Sequence, residues 1–173
     1  KKPKLTSLDK LFINYLEDLT SKTDSAYEKY DFNHPAQDLR KFLWDIFASN
    51  YVELVKNRAY NEENKFSNEE SDSARYALHF LLERLLILLY PIIPQITTLI
   101  ANEKGIDLLN GEWPKANVGE LDLNLVEKLL NFNSQIWKTK KEQGISLRNP
   151  LKGIKIPKEL SSFEKDLRVC HNI

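Results

Sequence analysis

Methionine is absent from this 173-residue sequence and cysteine occurs once, at Cys170. A single thiol excludes an internal disulfide framework and any multi-cysteine zinc site. It leaves the redox compartment open, with a reducing one favoured. A chain without methionine does not open on a natural start, so an excised piece of a longer polypeptide is expected. The opening Lys1–Lys2–Pro3–Lys4 has no apolar run behind it, so no secretory signal is expected in this sequence. Only five glycines occur, and none builds a phosphate-cradling loop. The 42% hydrophobic content is ordinary for a globular protein and argues against wholesale disorder. The length suits one domain, or one domain with a small appendage.

One long uncharged stretch, Leu85 to Asn102, reaches the minimum length for crossing a bilayer. It contains Pro91, Pro94, Gln95, Thr97 and Thr98, and two prolines three apart break a helix into two pieces. Two buried helices joined by a bend are expected there, and no membrane role.

What is present is helical periodicity. From Ser7, read as an N-cap, Leu8, Leu11, Phe12, Tyr15, Leu16 and Leu19 recur at three- and four-residue spacing and form one apolar stripe. Asp31 to Pro35 reads as a turn, with Pro35 in the first turn of a second helix that runs to about Arg58. Residues 61–72 hold five acids against Lys65 and read as an exposed loop. Ala74 to Leu89 is a strongly apolar third helix, continued after the prolines by a fourth ending near Glu103. Residues 105–119 form an irregular connection. Leu121 to Gln143 returns to helical spacing, with Gly144 as its stop. Ile154–Lys155–Ile156 alternates like a short strand, and Ser161 to Val169 forms a last short helix. The fold class is mainly α: an antiparallel helical bundle over residues 1–144 with a small irregular C-terminal extension, 145–173, that includes the short strand.

Catalytic chemistry is missing. His34, His79 and His171 are far apart, and none has a partner at metal-binding spacing. His79 sits among apolar residues and reads as a satisfied core histidine; His34 reads as capping or solvated. Cys170 beside His171 is adjacency in sequence, which does not set nucleophile–base geometry. The segment alone is expected to catalyse nothing, and to need no metal or cofactor.

The balanced net charge hides an asymmetry. Between Trp137 and Lys158 stand Lys138, Lys140, Lys141, Arg148, Lys152, Lys155 and Lys158 against the single acid Glu142, a local charge of +6. Acidic excess lies in 61–72 and between Glu103 and Glu127. Such a chain presents a positive face to a polyanion while staying neutral overall. Lys138 to Lys141 alone fit equally well as the cationic end of a helix; with Arg148 to Lys158 added, RNA or another polyanion moves ahead. On the second helix, Leu39, Leu43, Ile46 and Leu54 define a core face at 100° per residue. Arg40, Trp44, Phe47, Tyr51 and Arg58 run along its edge. Aromatics and guanidinium planes stack unpaired bases while cations hold phosphates; the other reading packs these aromatics against a neighbouring helix with the arginines snorkelling beside them. Asn50 and Asn57 also fall on the apolar side and need partners.

Residues Phe42 to Tyr60, with Trp44, Tyr51, Glu53, Lys56 and Arg58, closely resemble the second helix of the anticodon-binding domain of valyl-tRNA synthetases. Tyr30-Asp31-Phe32-Asn33 and Ala36 are similar to that family's preceding turn. Leu89-Tyr90-Pro91-Ile92-Ile93-Pro94 with Thr97 is similar to its proline bend, and Trp113-Pro114 to its later Trp-Pro pair. The resemblance weakens after about residue 125. Thr98, Leu99, Ile100 and Ala101 stand where the family usually has two glutamates, an aliphatic residue and a tryptophan. Trp137 stands where an arginine is commoner, with Lys140 at the family's lysine.

The resemblance implies a noncatalytic piece of a cytoplasmic, monomeric ATP-dependent ligase. ATP and magnesium would act in its catalytic core, whose His-Ile-Gly-His-like and Lys-Met-Ser-Lys-Ser-like motifs are missing here, as is the editing domain. It implies binding to the anticodon stem-loop of valine tRNA, whose last two anticodon bases are A and C. The isoleucine and leucine enzymes share the fold and stay open as parents, and a structural helical scaffold stays open as another class. Bases are expected against Arg40, Trp44, Phe47, Tyr51 and Arg58, and phosphates against Arg40, Lys56, Arg58, Lys138, Lys140, Lys141 and Arg148. Glu53 is expected to bond within the protein.

Overall fold

Helix α1 spans Ser7–Tyr27 in the computed structural model, which describes residues 3–173; Lys1 and Lys2 of the basic opening lie outside the described residues. Its cap is Thr6, one residue earlier than expected. Thr6 keeps an extended backbone, and its Oγ1 accepts a hydrogen bond from the Asp9 amide, leaving Ser7 as the first helical residue. Leu8, Leu11, Phe12, Leu16 and Leu19 are buried along one face, and Tyr15 is half-buried beside them.

Helices α2 (Asn33–Lys41) and α3 (Val52–Tyr60) are joined without a break by a π-helical segment, Phe42–Tyr51. The rod starts at Asn33, two residues before Pro35, with Asp31 at its entry: Asp31 Oδ1 accepts from the amides of Asn33 and His34 at 3.1 and 3.2 Å. His34 is exposed, its Nδ1 2.6 Å from Asp31 Oδ2. In the central segment hydrogen bonds reach five residues back, as in Val52 N–H to Phe47 O. That winding turns each residue through a smaller angle than an α-helix does. A 100° projection carried across ten such residues therefore drifts. Leu39, Ile46, Leu54 and Asn50 are buried as projected, but Asn57 is exposed. Asn61, left-handed at φ 50°, ends α3; its side-chain Nδ2 donates to Phe66 O and its Oδ1 accepts from the Phe66 amide.

Helix α4 is Asn68–Leu89, so the acidic stretch is a loop only up to Ser67. Ser67 and Glu70 form a reciprocal capping box, a start signal masked by the surrounding charge. Ala74, Ala77, Leu81, Leu85 and Leu88 face inward. His79 points to solvent and is not a core histidine, because it lies off that stripe. The prolines separate α4 from α5 (Pro94–Lys104), which ends at Gly105 with φ 69°.

The connection after α5 straps across α1. Trp113 Nε1 donates to Asp24, the Asn117 amide to Glu17, and Asn14 Nδ2 to Glu120 O, all within 2.8 Å. Helix α6 (Leu123–Glu142) follows, capped by Asp122. Then come a 3₁₀ turn, Lys158–Phe163, and α7 (Glu164–His171).

Helix α4 packs on α1 and α3, α7 on α3, and α6 on the π segment and the 3₁₀ turn. No strand forms among the described residues. Ile154 and Ile156 lean on the core while Lys155 stays exposed, so their alternation reflects one-sided burial without a pairing partner. Leu151, Leu160, Phe163 and Leu167 of the C-terminal extension share the buried cluster of the bundle. Among the described residues no helix is long and apolar enough to cross a membrane.

Candidate nucleic-acid interface

The aromatic edge read along α2 and α3 divides into a solvated part and a sealed part. Arg40 is exposed, and Trp44, on the π segment, is 72% exposed. Ser49 Oγ and Asn50 Nδ2 donate to the carbonyls of Trp44 and Asp45, each at 2.7 Å and each five residues back. These side chains satisfy the main chain beside the indole. Phe47 and Tyr51 turn inward instead. Their rings stack at 6.1 Å, and Tyr51 packs on Phe12 at 4.6 Å. The Tyr51 hydroxyl donates to Asp9 Oδ1 at 2.6 Å.

Arg58 is the most consequential correction. Its guanidinium is 1% exposed and spends four of its five N–H groups inside the protein. Nη2 and Nη1 grip Asp9 at 2.8 Å each, Nε donates to Asp166 Oδ1 at 2.7 Å, and Nη1 also reaches Glu70 O at 2.9 Å. Burial alone would lower the Arg58 pKa, but the two carboxylates outweigh it and raise it further. Phe47, Tyr51 and Arg58 are therefore not available to bases or phosphates. The sequence pattern could not separate an edge arginine from one buried by a helix more than a hundred residues away.

The basic stretch divides in the same way. Lys138, Lys141 and Arg148 are exposed, with Lys138 3.8 Å from Glu142. Lys140 is 1% exposed: its ammonium donates to the carbonyls of Leu147, Asn149 and His171 at 2.9, 2.7 and 2.5 Å. It holds backbone and cannot hold a phosphate. Lys56 is exposed and bonds Glu53 at 2.6 Å. The solvated cations and ring are thus Arg40, Trp44, Lys56, Lys138, Lys141 and Arg148, with Lys152, Lys155 and Lys158 also exposed.

A second polar group, unread in the sequence, is buried where α6 meets the π segment and α7. Asn133 is fully buried, donating to Asn50 Oδ1 at 3.0 Å and accepting from His171 Nε2 at 2.7 Å. Its signal was available: Asn133 interrupts the apolar Leu129–Ile136 face at core spacing. Because Asn133 Oδ1 accepts, His171 carries its proton on Nε2. Burial, reinforced by the nearby Lys140 charge, lowers the His171 pKa to about 4 and keeps the ring neutral.

Cys170 is half-buried, and burial pushes its thiol up to about 12, so it is no nucleophile near neutrality. Among the described residues no three His, Cys, Asp or Glu side chains converge on a metal position.

Residues 9–156 match the family model of the anticodon-binding domain of tRNA ligase. The chain belongs to this family. As an anticodon-binding domain it is similar along nearly its whole length to enzymes named valine–tRNA ligase. Identity is 38% to that of Nanoarchaeum equitans over 98% of this chain and 22% of the relative. It is 34% to that of Aeropyrum pernix over 97% of this chain and 21% of the relative, and 30% to that of Rickettsia felis over 99% and 21%. The chain thus spans about a fifth of the length of the curated relatives it matches.

Proposed function

We propose that this domain serves a valine–tRNA ligase by gripping the anticodon stem-loop of valine tRNA. The observation that carries the reading is Trp44: an indole 72% exposed, four residues after the exposed Arg40, in a chain of the anticodon-binding family. A solvated indole offers an unstacked base a face without sealing the core. Arg40, Lys56, Lys138, Lys141 and Arg148 supply the phosphate contacts. Phosphate contacts hold the RNA in place, and base contacts decide which tRNA is preferred.

In this reading the domain works in a cytoplasmic, monomeric parent that activates valine with ATP and transfers it to the tRNA. ATP and magnesium belong to the parent's catalytic core. The domain contributes recognition and no bond-making step.

Filter binding of valine tRNA across a salt series tests the reading. Log affinity should fall linearly with log salt concentration, and isoleucine and leucine tRNAs should compete poorly. Negligible binding at low salt would reduce the domain to a structural scaffold. Better competition by isoleucine or leucine tRNA would reassign the parent enzyme.

A further inference from the structure

We infer that Lys140, with His171 and Asn133, is a positioning device for RNA recognition, fixing the loop that carries Arg148 relative to the π segment that carries Trp44. The inference rests on the tRNA-binding reading and adds to it residues that touch no RNA.

The first observation is the cost of Lys140. Its ammonium is buried with no carboxylate partner among the described residues; every bond it makes is to a backbone carbonyl. Burying an uncompensated charge is expensive, and burial lowers this pKa. An aliphatic side chain would fill the same volume without that cost. What the ammonium adds is geometric: it gathers the carbonyls of Leu147 and Asn149, the residues on either side of Arg148. The Arg148 carbonyl is held as well, by Asn172 Nδ2 at 3.1 Å, and the Leu151 amide donates to Asn172 O at 3.0 Å. Three successive carbonyls are pinned, while the Arg148 side chain is exposed and Leu147 beside it is 56% exposed. This is a rigid backbone presenting a cation to solvent.

The second observation is where the path leads. The third carbonyl on Lys140 belongs to His171, whose ring donates to Asn133, which donates to Asn50, which donates to the Asp45 carbonyl next to Trp44. The first three links are buried, and the last, from the buried Asn50, comes out at the main chain of the exposed Asp45. The loop after α6 and the indole-bearing turn are thereby fixed to the same rigid path. A binding surface whose parts are already in place loses less conformational freedom when the ligand docks.

A double-mutant cycle on tRNA binding tests this, using the full polypeptide that contains this domain and filter binding of valine tRNA. Arg148→Ala in the native background should weaken binding about tenfold and reduce the salt slope by about one. Lys140→Met keeps an unbranched stem and drops the charge. It should also cost about tenfold, and on that background Arg148→Ala should add less than twofold. A device that only supports folding lowers thermal stability but leaves the Arg148→Ala effect intact, so a full tenfold loss in both backgrounds overturns the inference. A neutral Arg148→Ala on the native background also overturns it, and that exposed site carries no folding risk. Should Lys140→Met not fold, Asn172→Gly, which frees only the Arg148 carbonyl and keeps the left-handed backbone, takes its place; coupling below twofold there overturns the inference. Native protein that binds no tRNA at low salt sinks the parent reading and this inference together. Salt-dependent binding with an uncoupled cycle sinks this inference alone.

Discussion

Arg58 on α3 donates through Nε to Asp166 on α7 at 2.7 Å, across 108 residues of sequence. The same guanidinium holds Asp9 of α1 through two further bonds and reaches Glu70 O of α4, so one cation ties four helices together. Burial pushes both carboxyls up. At Asp9 the bonds from Arg58, Ser73 and Tyr51 outweigh it and bring the pKa below its usual value. At Asp166 burial prevails over Arg58, helped by Asp9 and Glu70, and the pKa rises to about 6. Arg58→Met leaves two buried carboxylates without their cation and should cost about 3–5 kcal/mol in urea unfolding. Arg58→Lys should recover less than half, since an ammonium cannot fork to both partners. The salt slope of tRNA binding, measured on the folded fraction, should not change. A slope smaller by about one would restore Arg58 as a phosphate contact.

Trp44 is the opposite case. An indole 72% exposed contributes little to the core, so Trp44→Ala should change unfolding free energy by no more than about 0.5 kcal/mol. Affinity for valine tRNA should fall by about 1–3 kcal/mol, the range for one base stacked on one aromatic ring. Denaturation and filter binding on the same preparation check the pair of values. A variant that binds as tightly as the native domain removes Trp44 from the interface.

The contrast between these two residues shows what was legible in the sequence. The apolar stripe of α1, the proline break before α5 and the stop near Gly144 depend on neighbours a few residues apart, and local patterning carries them. Capping at Ser67 is equally local, but it lies inside an acidic run whose composition is that of a loop. Trp44 and Arg58 looked alike because helical projection assumes one pitch and knows nothing of distant helices. The π winding of Phe42–Tyr51 changed the pitch, and Asp166 supplied the distant partner. Lys140 failed for the same reason: its three carbonyls come from a loop and a helix end that no spacing rule connects to α6. Patterning marked the binding region; which members of it meet solvent is set by tertiary packing.

Cys170 should be nearly inert in the folded domain. Burial, with a contribution from Glu53, pushes its thiol up to about 12, and alkylation proceeds through the thiolate. Reaction with iodoacetamide at pH 8 should be slower than that of an unfolded control by at least about a hundredfold, a factor set by the ratio of thiolate populations. Rapid native labelling would show that α7 opens on the timescale of the reaction. Blocking the thiol after denaturation and refolding should leave tRNA binding measurable.

His171 sets a pH dependence that runs against that of Asp166. The unfolded chain protonates its imidazole near pH 6.5, whereas in the folded state burial, reinforced by Lys140, defers protonation to about pH 4. Between these values the unfolded state binds more protons, so the His171 contribution to stability is complete above pH 6.5 and is lost as pH falls toward 4. By pH 5 the loss is about 2 kcal/mol. Asp166, raised to about 6 from an ordinary carboxyl value near 3.8, contributes in the other direction: its stabilising effect is present at low pH and declines as pH rises through that window. The two partly cancel in the native protein, so the test is a comparison. His171→Gln keeps an N–H donor for Asn133 and does not titrate. The stability advantage of the native protein over this variant, from urea unfolding at pH 7, 6 and 5, should shrink by about 2 kcal/mol from the first to the last. A difference that stays constant would mean that the His171 ring already accepts a proton in the folded state near its ordinary pH.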